Sequence, residues 1–126
     1  MTDMIFITGV VIHARHGVME HETEVGQRFV IDLELSTDLS ESSRTDRLAD
    51  TVSYSNVVAT ATAAFKNANY KLLERAAGAV ADAVLAAFPR ISAIKVTVHT
   101  PHAPIAAIFD DVGIVLTRAR QDQPRG

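Results

Sequence analysis

Hydrophobic positions along the chain follow a period of two toward its ends and a period near 3.6 in its middle. Residues 4–13 are rich in Ile, Val and Phe and predict a strand. Residues 28–37 alternate: Phe29, Ile31, Leu33 and Leu35 point one way, Asp32, Glu34 and Ser36 the other. Farther on, Ile94, Val96 and Val98 alternate with Lys95, Thr97 and His99, and Val112, Ile114 and Leu116 make a fourth run. The segment from Arg15 to Gln27 holds two glycines and several acids and predicts a long structured loop. The polar stretch from Leu39 to Asp50 predicts a connector.

In the middle, Val57, Val58, Ala61 and Phe65 sit at helical spacing from about Tyr54, until Asn67-Ala68-Asn69 interrupts. Leu73, Ala76, Ala77, Val80, Ala81, Val84, Leu85 and Phe88 then form one long apolar stripe, and Pro89 closes it. Gly78 inside this helix costs about 1 kcal/mol relative to Ala and is read as allowing a neighbour to approach closely. The order strand, strand, helix, helix, strand, strand predicts an α+β fold, a four-stranded antiparallel sheet with two helices packed on one face. The opposite face, with Asp32, Glu34, Lys95, Thr97 and His99, is expected to meet water. Such a sheet has two edges to protect, and association into a ring of sheets would cover them.

Composition narrows the classes. A chain of 126 residues reads as one domain, here residues 1–118, with a polar tail at 119–126. A hydrophobic fraction of 48% with 21% charge fits a packed core. There is no Cys, hence no disulfide, thiolate metal site or cysteine nucleophile. The formal charge of −3 is not blocked, which argues against nucleic acid or an anionic membrane as partner. Asp3 near the start and the short run Ile5-Phe6-Ile7 argue against a signal peptide or a membrane span, so a cytoplasmic location is expected.

Five phrases lie in register on this pattern: Arg15-His16-Gly17-Val18; Glu22 through Gly26-Gln27-Arg28-Phe29 to Asp32; Asp50-Thr51-Val52-Ser53-Tyr54; Leu72-Leu73-Glu74; and His99-Thr100-Pro101-His102-Ala103-Pro104-Ile105. Together, over residues 4–118, they resemble the dihydroneopterin aldolase family. The resemblance implies the tunnelling fold, in which subunits form a ring whose strands build one barrel with the helices outside. Two rings commonly stack into an octamer, and the active sites lie between neighbouring subunits. It also implies a homo-oligomer acting in folate biosynthesis by retro-aldol cleavage of 7,8-dihydroneopterin. The products are 6-hydroxymethyl-7,8-dihydropterin and glycolaldehyde.

This chemistry must take a proton from a hydroxyl, break a carbon–carbon bond and hold the electron pair. The ring imine beside the side chain accepts that pair, so no cofactor, metal or lysine Schiff base is expected. A carboxylate accepts two parallel hydrogen bonds and so matches the amino-pyrimidine edge of a pterin. The resemblance assigns that clamp to Glu74, with Leu73 supplying backbone contact; by pattern alone Glu74 is a first-turn glutamate favoured by the helix dipole. It assigns Tyr54 to a neighbouring subunit's site, acting with water on the side-chain hydroxyls, where the plain reading is a half-buried tyrosine at a helix start. It places Glu22 against substrate or catalytic water, where composition alone reads one of three solvated acids.

Family members usually carry a lysine where this chain has Thr100, and that lysine is held to transfer the proton. A hydroxyl is shorter, uncharged and does not titrate near neutrality. No lysine follows His99. Losing a positioned general acid–base group costs roughly 10²–10⁴-fold in rate, so slow turnover is expected. His99 and His102 flank the position; strand alternation turns His99 away from Thr100, which makes His102 the better substitute, though a surface or loop histidine is the plain reading of both. His13 and His16 lack a convincing third ligand, and a structural or surface role is expected rather than a metal. Two alternatives stand beside the aldolase: a paralogue that epimerises the dihydroneopterin side chain, and a non-catalytic pterin-binding ring protein. A triphosphorylated substrate would call for clustered basic groups, for which Arg15, Arg44, Arg47 and Arg118 are available.

Overall fold

The computed structural model describes residues 3–20 and 24–120. Strand β1 (Met4–Ala14) and strand β2 (Gln27–Ser36) are followed by a single helical turn, α1 (Ser42–Thr45), and a 3-10 turn at Leu48–Asp50. Helices α2 (Tyr54–Phe65) and α3 (Leu73–Ala87) come next, then β3 (Ala93–His99) and β4 (Gly113–Ala119). The sheet order is β1-β2-β3-β4, with every pair antiparallel.

The period-two residues define the buried face. Phe29, Ile31, Leu33 and Leu35 of β2 and Ile94, Val96 and Val98 of β3 are all buried, and the register sets Leu33 opposite both Ile7 and Val96. Helix α2 covers this face with Val57, Ala61 and Phe65, and α3 with Ala76, Ala77, Val80, Ala81 and Val84. Alanines along α3 allow close packing, while each large side chain removed from water contributes about 1.5–3 kcal/mol. Ser53 caps α2 by accepting the Asn56 N–H at 3.4 Å. At the other end of the helical pair, Arg120 donates to the carbonyls of Leu85, Phe88 and Ile91 at 2.7–3.2 Å, closing the C-terminus of α3. The folded body therefore reaches Arg120, two residues beyond the boundary expected from the sequence.

Two further features differ from expectation. A Cβ built on Gly78 meets no atom within 4 Å, so this glycine accommodates no close neighbour among the described residues. The outward face of the sheet is not uniformly polar. On the edges it carries Met4, Phe6 and Val11 of β1 and Val115 of β4, all exposed. Strand β1 also breaks register between Ile7 and Val10, where Gly9 takes φ +75°, a left-handed value that side chains rarely adopt. No helix among the described residues is long and apolar enough to cross a membrane.

Candidate functional site

Three segments carry the residues singled out above, and buried polar bonds fix each of them. The first is the connector from α2 to α3. His16 is 1% exposed and lies against Phe29, Phe65 and Tyr70, its ring 4.6 Å from that of Phe65 in an edge-on arrangement. The Tyr70 N–H donates to its Nδ1 at 3.0 Å, so the proton sits on Nε2, which donates to the Phe65 carbonyl at 2.7 Å. Burial holds the His16 pKa below its ordinary value, partly offset by the bond to Phe65. Gly17 N–H adds a bond to the Tyr70 carbonyl at 2.9 Å. The loop after β1 is thus strapped to the chain just ahead of α3, and both ring nitrogens of His16 are committed to backbone.

That strap delivers Leu73 and Glu74. Helix α3 starts after Leu72 without a side-chain cap, so its first N–H groups have no side-chain partner. Glu74 lies in the first turn, exposed, and makes no hydrogen bond or ion pair among the described residues. The result is a free carboxylate beside backbone donors.

The second segment is the end of β3. Thr100 continues the buried alternation of Val96 and Val98 and is 7% exposed. Its N–H donates to the Val112 carbonyl at 2.8 Å, and its hydroxyl donates to Oε1 of Gln27 at 3.2 Å. His99 points to the other face, between Asp32 and Asp111. Its pKa is raised, by the Asp32 hydrogen bond first and the Asp111 bond second. Burial disfavours the charge of Asp32, yet the His99 bond and the Gly9 amide outweigh it and hold that pKa low. His102 stands on the following loop, exposed.

The third segment is the connector before α2. Asp50 is buried and accepts from the Thr45 hydroxyl at 2.5 Å and from Arg47 Nε at 3.1 Å, bonds that keep its pKa below the ordinary carboxylate value. Arg90 adds a bond to the Ala49 carbonyl. These contacts pin the turn that leads into Tyr54, which opens α2 and is 64% exposed. A hollow of about 490 Å³ lies beside it, lined in part by Leu39, Arg47, Leu48 and Thr51.

Within one chain, no hydrogen bond joins Tyr54, Glu74 and Thr100 among the described residues, and Glu22 lies outside those residues. Of the arginines considered for phosphate, Arg44 and Arg47 share the connector before α2, where Arg47 serves Asp50, while Arg118 bonds the Thr117 carbonyl on β4 and Arg15 lines a hollow with His13 and Lys66. Gln27, Asp32 and Asp111 escaped the sequence reading. Gln27 and Asp32 look like ordinary strand residues until β3 is set beside β2.

A family profile described as dihydroneopterin aldolase matches residues 5–117. The chain is 41% identical over 122 residues to a dihydroneopterin aldolase of Methylorubrum extorquens, covering 97% of this chain and 94% of the relative. It is 39% identical over 118 residues to the dihydroneopterin aldolase of Streptococcus pyogenes serotype M18, covering 94% and 99%. Among solved structures, E. coli dihydroneopterin aldolase in complex with neopterin superposes with a TM-score of 0.85 at 28% identity, covering 94% of this chain and all of that one.

Proposed function

The chain belongs to the dihydroneopterin aldolase family, and on that premise we propose that it binds a dihydropterin at Glu74 and cleaves 7,8-dihydroneopterin slowly, without metal or Schiff base. The observation that carries this reading is the exposed, uncommitted carboxylate of Glu74 at the uncapped start of α3. The helix dipole alone also favours a glutamate at that place, and with no partner among the described residues its carboxylate is accessible to a ligand. A free one suits the amino-pyrimidine edge of a pterin. The neopterin bound by the E. coli relative supports the same ligand class.

In the proposed reaction a side-chain hydroxyl loses its proton, the adjacent carbon–carbon bond breaks, and glycolaldehyde leaves. The electron pair enters the ring imine, and the carbon left on the ring then takes up a proton to give the hydroxymethyl product. Glu74 holds the ring with backbone groups at Leu73, while Tyr54 and Glu22 act with water on the hydroxyls. Tyr54 comes from a neighbouring copy, in keeping with its exposure here and with the lack of any bond to Glu74 within the chain. The exposed Met4, Phe6 and Val11 of β1 and Val115 of β4 suit burial between copies in a tetrameric ring or an octamer.

Position 100 limits the rate. Its hydroxyl is spent on Gln27, so it supplies neither charge nor a titrating proton. His102, exposed on the next loop, is the proposed substitute. The same observation favours a second reading in which the protein binds pterins without cleavage or only epimerises them.

The test is product-resolved turnover of 7,8-dihydroneopterin with glycolaldehyde detection, for the parent and Thr100→Lys. Slow parental turnover that rises roughly 10²–10⁴-fold with lysine supports the proposal. Tight neopterin binding with no cleavage by either protein supports the second reading. No measurable affinity for neopterin overturns both.

A further inference from the structure

The hydrogen bonds at the end of β3 specify a charge state. His99 Nε2 lies 2.7 Å from Asp32 Oδ2, and Nδ1 lies 2.6 Å from Asp111 Oδ2. An ionised carboxylate only accepts, so two such contacts need two N–H donors, which only the imidazolium has. A neutral ring would set a nitrogen lone pair against a carboxylate oxygen. The remaining oxygens are committed as well. Asp32 Oδ1 accepts the Gly9 N–H in the β1 bulge at 2.8 Å, and Asp111 Oδ1 accepts the Val112 N–H at 2.8 Å. The Val112 carbonyl in turn accepts the Thr100 N–H at 2.8 Å. One continuous run of bonds links β1, β2, β3 and both feet of the 100–112 loop.

We propose that His99 is a positioning residue of the site: held as an imidazolium between Asp32 and Asp111, it clamps the feet of the 100–112 loop together and sets where Thr100 and His102 stand. The effect on turnover rests on the aldolase reading; the clamp itself does not.

The charged groups on His99 are Asp32 from β2 and Asp111 from the loop, and β1 contributes only the Gly9 amide, through Asp32. Farther along the same face, Glu34 and Lys95 pair with each other at 3.5 Å. Two carboxylates against one ring raise its folded pKa. The stabilisation is therefore complete below the ordinary histidine value of about 6.5 and is lost as pH rises through the higher folded value. Two substitutions separate charge from shape. In Asp111→Asn the amide N–H₂ can donate to a neutral Nδ1 while Nε2–H still donates to Asp32, so the bridge needs no cation. His99→Gln has a single nitrogen and cannot donate in both directions.

The experiment follows the full chain by imidazole ¹⁵N shifts, by exchange of the Thr100 amide, and by the pH profile of dihydroneopterin turnover, with neopterin affinity measured alongside. In the parent, His99 should titrate above about 6.5. Over the same pH range, Thr100 exchange should gain about tenfold beyond its intrinsic rise, the effect of losing one charge-assisted bond. Asp111→Asn should lack both the step and the high-pH fall in kcat. His99→Gln should exchange fast at every pH and lose kcat with KM little changed. A His99 that titrates at or below the ordinary value overturns the clamp, as does Thr100 exchange indifferent to His99→Gln. Altered exchange with an unchanged kcat profile overturns the positioning role. The expected titration and exchange in a protein that neither binds neopterin nor turns over would uphold the clamp and sink the aldolase reading instead.

Discussion

Replacing His16 with Phe isolates the bonds that strap the loop after β1 to the approach to α3. Phe keeps the ring among Phe29, Phe65 and Tyr70 but offers neither donor nor acceptor. The Phe65 carbonyl and the Tyr70 N–H, now bonded at 2.7 Å and 3.0 Å, would be left without their partners. A buried group stripped of its partner costs about 1–3 kcal/mol, and Tyr70 is only half-buried, so the sum is about 2–4 kcal/mol. With a urea dependence of about 2 kcal/mol/M, the unfolding midpoint should fall by about 1–2 M at fixed protein concentration. The difference should also depend on pH. Burial lowers the pKa of His16, so its contribution is complete above about 6.5 and declines as pH falls toward the folded value. Phe lacks this term, and the gap between the two proteins should narrow as pH falls below the ordinary histidine value of about 6.5. A midpoint within about 0.2 M of the parent would refute the reasoning, and a gap that ignores pH would refute its electrostatic half.

Glu74→Gln keeps the shape but replaces one acceptor with a donor, so neopterin affinity by calorimetry should fall about 10–100-fold. An unchanged affinity would remove Glu74 from the site. Gly78→Ala should stabilise by about 1 kcal/mol and raise the melting temperature by about 3–5 °C; a loss instead would mean that another copy of the chain occupies the open space at Gly78. Arg120→Ala leaves the last carbonyls of α3 without their donor and should cost about 1–2 kcal/mol in urea unfolding. Arg120→Lys should recover only part, since one ammonium cannot reproduce the fork, and full recovery would contradict that geometry.

Much of this was legible in the chain itself, because local periodicity reports burial. Phe29 to Leu35 and Ile94 to Val98 alternate, and those side chains are buried under the helices. The stripe from Leu73 to Phe88 marks the buried line of α3, and Pro89 its end. The phrases around Tyr54, Glu74 and Thr100 likewise identified the family without any coordinates.

Long-range pairing was not legible, since no local pattern records which residues meet across strands. Asp32 and His99 stand 67 positions apart, and only the β2–β3 register brings them to 2.7 Å. Gln27 and Thr100, 73 positions apart, meet in the same way. His16 could be read as structural, but not as the partner of Phe65 and Tyr70, because that depends on how the loop after β1 folds over the helices. Gly78 shows the converse: a glycine in a helix suggests close approach, and only the tertiary structure shows that the described residues leave that space open. The sequence thus determined the elements, the buried face and the family. Tertiary structure decided which polar groups are spent on one another and which, like Glu74, have no side-chain partner among the described residues.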